Sequence, residues 1–253
     1  MDPLKDCILL YADCYVVIRG EAQAMIPSLK KTIIEMLKDI HTHRFTDSAP
    51  EEVLLSCPVL QNEIPVEAVY VSAEVHPWRL TAENLFCQIE RMENILSDPR
   101  VIALGEVGLD KLTLCPYHIQ QKAFEEIVRI SEEYSKPLII HCVKSVDELI
   151  AIKKKMRPVL PWIMHGFRRK PQQADSLLRQ GFYLSFGEHY NSQVMKEIPI
   201  ERLFLETDES NVSIDELYNR AAAIRHISAE ELKLAVGHNV NNVFGIKKPL
   251  SIY

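Results

Sequence analysis

The chain has 253 residues, 47% of them hydrophobic and 25% charged, enough to bury one large core within a single domain of the size of an α/β barrel. A formal net charge of −6 excludes a broadly basic surface for duplex DNA, although it leaves room for a local phosphate site. The six cysteines (Cys7, Cys14, Cys57, Cys87, Cys115 and Cys142) include no C-x-x-C pair, which argues against a disulfide framework or a thiolate zinc site and for a reducing, cytoplasmic compartment.

No apolar stretch reaches the ~18 residues of a membrane span. The nearest approach, Cys7 to Ile18, is interrupted by Asp13. As a secretory leader it is also poor: Ala22-Gln23-Ala24 offers a cleavage site, but Asp2 and Asp6 offset Lys5 where a leader needs positive charge. Residues 1–35 read as two apolar runs, Ile8 to Tyr11 and Tyr15 to Ile18, then a helical segment from Pro27 to Met36. They supply no candidate ligand, so they are expected to form a peripheral N-terminal extension to a barrel spanning 36–253.

From Leu37 the pattern becomes short apolar run, polar residue, amphipathic helix, repeated, which is the sign of β/α units around a parallel sheet. The runs are Leu37–Ile40, Val53–Leu55, Ala68–Val75, Val101–Leu104, Leu138–Ile140, Trp162–Met164, Phe182–Phe186 and Leu203–Leu205. Eight of them predict a closed, TIM-type (β/α)8 barrel. The first unit is short and contains Pro50, so a full helix is not expected there. Ser145 with Glu148, Ser213 with Glu216 and Ser228 with Glu231 have capping-box spacing. Phe124, Ile127, Val128 and Ser131 predict the buried side of a helix from Tyr117 to Tyr134.

The polar residues that close the runs are His41 and His43, His76, Glu106, His141, His165 and Asp208. Each alone reads as a satisfied core histidine or a capping acid. Six of eight strand ends carrying one makes that shared explanation untenable, because strand C-termini in a β/α barrel converge on one face. Histidine and carboxylate without thiolate suit Zn, Mn or Mg, and this many donors suffice for two ions, with Glu106 the natural bridge. Such a pair activates water and clamps a phosphodiester, so hydrolysis is the expected reaction class. Of the basic clusters, Lys153 to Arg157 reads as a solvated helix face. Arg168 and Arg169 follow His165 directly and are candidates for substrate phosphate.

These residues lie in motifs that resemble the TatD family of metal-dependent hydrolases and deoxyribonucleases: Asp39-Ile40-His41-Thr42-His43, Val75-His76-Pro77, Gly105-Glu106-Val107-Gly108-Leu109-Asp110, Ile140-His141, His165-Gly166-Phe167, Glu206-Thr207-Asp208 and Asn241-Asn242-Val243-Phe244. The resemblance spans 37–245 and implies a distorted amidohydrolase-like barrel. It implies that His41, His43 and Asp208 bind one metal and His141 and His165 the other, with Glu106 between them. It further implies that His76 contacts the scissile phosphate and that Asp208 takes the proton of the attacking water. Asp39 and Glu206, two residues before ligands, would support them from behind. Family members commonly begin as the chain would from Met36, which makes residues 1–35 look like an upstream reading-frame extension.

Four departures stand out. Only 32 residues separate His43 from His76, shorter than usual in the family, so the first helix is expected to be missing. Glu74 replaces a common Gly, Arg168-Arg169 the usual Ser-Gly, and Glu209-Ser210-Asn211 the usual loop after Asp208. The expectation is therefore a monomeric hydrolase carrying two divalent cations and acting on DNA ends or short oligonucleotides. A small-molecule amidohydrolase is the alternative, since the same metal face polarises a carbonyl. A barrel kept only as a scaffold is disfavoured by the intact ligand set.

Overall fold

A computed structural model describes residues 37–45, 48–61 and 63–246, together with a two-residue antiparallel pair, Ile8–Leu9 with Val16–Val17. By internal contacts the chain divides into Met1–Met36 and Leu37–Tyr253. The helix expected over Pro27 to Met36 lies outside the described residues.

The second unit is built on eight parallel strands in sequential order: β1 (Asp39–Thr42), β2 (Val53–Pro58), β3 (Tyr70–Val75), β4 (Val101–Asp110), β5 (Leu138–Val143), β6 (Trp162–Met164), β7 (Phe182–Phe186) and β8 (Leu203–Leu205). Closure between the last strand and the first is made by a parallel bridge, Thr42 to Asp208. There Asp208 N–H donates to the His41 carbonyl (2.9 Å) and His43 N–H to the Asp208 carbonyl (3.4 Å). The predicted barrel is thus present, and its seam runs through two of its candidate ligand segments.

Among the described residues the helices of this unit are α1 (Leu85–Ile95), α2 (Tyr117–Tyr134), α3 (Val146–Met156), α4 (Pro171–Arg179), α5 (Ser192–Glu197), α6 (Ile214–Arg225) and α7 (Ala229–Phe244). As expected, the first connection carries only a 3₁₀ turn, Pro50–Glu52; among the described residues the second, 59–69, also lacks a helix. The predicted buried side of α2 is buried throughout. Ser213 and Ser228 cap α6 and α7, the latter with the full reciprocal box. Ser145 does not cap α3: its hydroxyl donates to the Val143 carbonyl (3.0 Å), and its backbone (φ −133°, ψ 24°) departs from the extended form an N-cap needs. No helix is long and apolar enough to cross a membrane among the described residues.

The strands outlast the apolar runs that announced them. His41, Glu106 and His141 lie inside β1, β4 and β5 rather than after them. Inward-facing positions turn polar where the site begins, while the hydrogen-bond ladder continues, with Val107 opposite Ile140 and Gly108 opposite His141. Hydropathy follows the side chains and cannot see the ladder.

Trp162 of β6 packs edge-on against Phe124 of α2 (5.3 Å between centroids) and Phe182 of β7 (5.6 Å), and Lys153 Nζ lies 4.5 Å from the Trp162 ring. The solvated helix face expected around Lys153 is therefore only partly right. Burial, against the pull of Glu132, lowers its pKa to about 8. Between that value and the ordinary lysine value near ~10.4, the unfolded chain holds the extra proton, so this residue makes stability rise with pH through that window and costs stability below it. Lys153→Met is expected to abolish the rise and to increase Tm at pH 7 by ~2–4 °C, about 1 kcal/mol after the lost cation–π contact is allowed for. Thermal melts at pH 7 and pH 10 read both effects.

Candidate metal centre

Glu106 stands at the middle of the barrel mouth, buried, with its two oxygens facing different groups. Oε2 lies 3.4 Å from His41 Nε2 and 3.3 Å from His43 Nε2. Asp208 Oδ1 completes that side, 3.7 Å from His41 Nε2 and 3.5 Å from His43 Nε2. On the other side Oε1 meets His141 Nδ1, His165 Nε2 (2.7 Å) and His76 Nε2 (3.1 Å). The sequence-predicted donors are thus brought together, divided into two groups about one carboxylate.

The donor set suits a divalent cation. Four triplets, His41-His43-Asp208, His41-Glu106-His165, His76-Glu106-His141 and His165-Glu206-Asp208, each place ligand atoms within 4.8 Å of one another. Both ring nitrogens of His41 are buried without a hydrogen-bond partner, a costly state for an imidazole; an ion would satisfy Nε2, which faces Glu106 and Asp208. Burial pushes the Glu106 pKa up, but the charge of His165 and the hydrogen bonds of His141 and His165 more than reverse this and hold it well below the usual range. His165 shows the complement: burial lowers its pKa, while Glu106 and Glu206 raise it well above the usual value. A proton and a cation compete for such a site, so its metal affinity falls in acid.

Surrounding groups fix which atom each ring presents. His141 Nε2 lies 3.1 Å from Asp110 Oδ2, which leaves Nδ1 for Glu106. His165 is held the other way round, with Nδ1 3.3 Å from Glu206 Oε1 and Nε2 turned inward. Trp78 N–H donates to His76 Nδ1 (3.1 Å), so Nε2 carries the proton in the neutral ring and points at the site. Asp39 lies behind the seam, accepting from Thr207 N–H (3.0 Å), Thr207 Oγ1 (2.6 Å) and His41 N–H (3.3 Å). Its burial outweighs these bonds and raises its pKa to about 7. Through Thr207 it steadies Asp208, a non-glycine residue in the left-handed region (φ 54°). Asp39 thus lies behind His41 and Thr207, and Glu206 behind His165.

Arg168 and Arg169 line the same cleft of about 760 Å³ as these groups. Arg168 is exposed, while the Arg169 guanidinium donates to the Cys142 carbonyl. Two residues were given no role by sequence reasoning. Asp110 follows Glu106 by four positions on one strand, so alternation puts both carboxylates on the same face, a signal that was available. Glu74, noted in the sequence only as standing where Gly is common, pairs with Arg79, accepts from Ser56 Oγ (3.0 Å) and approaches His43 Nδ1 (3.7 Å).

The family model described as TatD related DNase matches residues 59–245. An uncharacterized metal-dependent hydrolase of Bacillus subtilis, YabD, is 29% identical over 153 residues, covering 57% of this chain and 55% of that protein. The Deoxyribonuclease Tat-D of Schizosaccharomyces pombe is 30% identical over 136 residues, covering 50% of this chain and 44% of that protein. The chain thus spans about half the length of these relatives. A TatD homologue of known structure, YjjV from Escherichia coli, superposes with TM-score 0.72 at 19% identity over 85% of this chain and 100% of that one. A TatD family hydrolase from Entamoeba histolytica gives 0.67 at 18% identity over 83% and 98%. His41 and His43 precede the matched residues, yet the barrel seam delivers them to the same centre. With the match covering most of the barrel and the shared fold around it, the chain belongs to the TatD-related DNase family.

Proposed function

We propose that this protein is a metal-dependent hydrolase that cleaves phosphodiester bonds of DNA ends or short oligonucleotides. The observation that carries the reading is the division of Glu106, with one oxygen toward His41, His43 and Asp208 and the other toward His141 and His165. These two groups would each hold a divalent cation, Zn, Mg or Mn, with Glu106 between them. Bound there, the ions supply a water of lowered pKa and neutralise charge on the phosphoryl group.

The protein's own groups then divide the remaining work. Asp208 is the carboxylate of the centre most open to solvent and is buried enough for its pKa to rise, so it is suited to accept the proton of the attacking water. His76, with Nε2 as donor, is placed to bind a non-bridging phosphate oxygen. Asp110 and Glu206 hold the histidine rings, and a wrongly turned ring costs ~10–100-fold in affinity or rate. Incubating metal-reconstituted protein with single-stranded DNA, RNA and a dihydropyrimidine panel tests the reading. DNA turnover is expected; dihydropyrimidine hydrolysis with DNA left intact would replace it with the amidohydrolase alternative.

Arg168 and Arg169 are proposed to contact substrate phosphate. Neutralising both is expected to raise KM and to flatten its log–log salt dependence by up to ~1.4 on a single strand, most of it from Arg168, whose guanidinium is not spent on Cys142. Equal salt slopes in wild type and variant would remove the arginines from the binding site. We also propose that residues 1–35 are dispensable to the barrel. A chain begun at Met36 is expected to keep its metal content and activity and to melt within ~4 °C of the full chain, whereas a larger fall would make the segment part of the fold.

A further inference from the structure

At the rim of the candidate metal centre is an exposed aromatic side chain with no role in the chemistry proposed above. Trp78, two residues after His76, is 69% exposed, high for an indole that nevertheless has a fixed position. Its Nε1–H donates to Asp110 Oδ2 (2.6 Å), and its ring centroid lies 5.1 Å from that of His76 and 6.1 Å from that of His141, edge-on to both. The indole is thus anchored by its polar edge while much of its surface is left open at the rim of the cleft. The loop after β4 adds Leu112 (64% exposed) and Leu114 (101%), and is tied to the Trp78 loop by Thr113 Oγ1 donating to the Pro77 carbonyl (3.5 Å). Opposite in character, exposed Arg168 lies on the same cleft.

A rigid aromatic face within one residue's reach of a phosphate-cleaving centre, with a cation nearby, is the arrangement used to hold an unpaired base while its backbone is cut. We propose that Trp78 is the stacking platform for the nucleobase adjoining the scissile phosphate, so that the enzyme requires an unpaired, base-bearing nucleotide there. This rests on the phosphodiesterase reading. Asp110 would then serve both ends of the site, since the same Oδ2 fixes the indole and His141.

Two measurements on the full-length, metal-loaded protein separate this inference from the reading beneath it. The first is binding by intrinsic fluorescence. The chain has two tryptophans, and Trp162 is fully buried, so quenching by an oligothymidylate reports on Trp78. Wild type is expected to be quenched and Trp78→Phe to show none. The second is the ratio of kcat/KM for strands with a base-bearing and an abasic nucleotide at the cut position. Wild type is expected to prefer the base by about tenfold, Trp78→Phe to keep most of that preference, and Trp78→Ala to lose it. An effect passing only through Asp110 and His141 would lower kcat on both strands equally and leave the ratio intact. Unquenched wild type, or an Ala variant with the wild-type ratio, overturns the stacking role while DNA cleavage stands. Quenching without cleavage of either strand overturns the phosphodiesterase reading and leaves the platform.

Discussion

Glu106→Ala is expected to yield a folded protein that holds at most one of the two cations proposed for the centre and loses hydrolysis by at least ~10²–10³-fold, the scale of removing one strong electrostatic group from a buried site. The reason is positional. Glu106 is the carboxylate whose two oxygens address the two donor groups separately, so its loss removes charge from both at once. The fold should survive because β4 pairs with β3 and β5 through its backbone, and because apolar strand residues, not Glu106, fill the layers below. In the metal-free variant His165 loses the Glu106 charge but keeps Glu206 against Nδ1 (3.3 Å), so the imidazole is not left buried without a partner. Elemental analysis of bound metal, circular dichroism and turnover on an oligonucleotide together test this. A variant with wild-type stoichiometry and rate would remove Glu106 from the bridging position.

The barrel was legible in the sequence because parallel strands covered on both faces must be apolar for most of their length, and eight such runs survive even where helices between them are missing. The gathering of His41, His43, His76, Glu106, His141, His165 and Asp208 was legible for a related reason: strand ends on one side of such a barrel have to converge. What stayed hidden were features that depend on the other face of the chain or on a partner far away in sequence. Asp110, by contrast, shares the face of Glu106 and could have been read from alternation; it was missed because the apolar run of β4 ends at Leu104, while the strand goes on for six more residues. Ser145 had the spacing of a cap but its hydroxyl found a nearer carbonyl, which no spacing rule can foresee. Glu74 carried a warning as the one charged residue of its strand, Tyr70–Val75. Its partner Arg79, reached across the turn after His76, needed coordinates.

Gly108→Ala is expected to destabilise the barrel by about 3 kcal/mol or more, a fall of ~6–12 °C in Tm, at the upper end of what overpacking costs. A Cβ built on Gly108 would lie 2.0 Å from the His141 carbonyl oxygen and 3.0 Å from its carbonyl carbon. Both are backbone atoms of the neighbouring strand, so no side chain can swing aside; β4 and β5 must part or slide. The pairing of Gly108 with His141 sits between Glu106 and Asp110, the two carboxylates that bracket the His141 ring. Displacing it therefore moves a candidate ligand and its support together, and metal affinity should fall with stability. Gly181→Ala is the control. That glycine also has a positive φ (77°), but nothing lies within 4 Å of the added carbon, so it should cost only the ~1–2 kcal/mol of a left-handed residue and leave metal content unchanged. If the two variants melt alike and bind metal alike, close approach of β4 to β5 is not what Gly108 provides, and backbone conformation alone accounts for the glycine in Gly-Glu-Val-Gly.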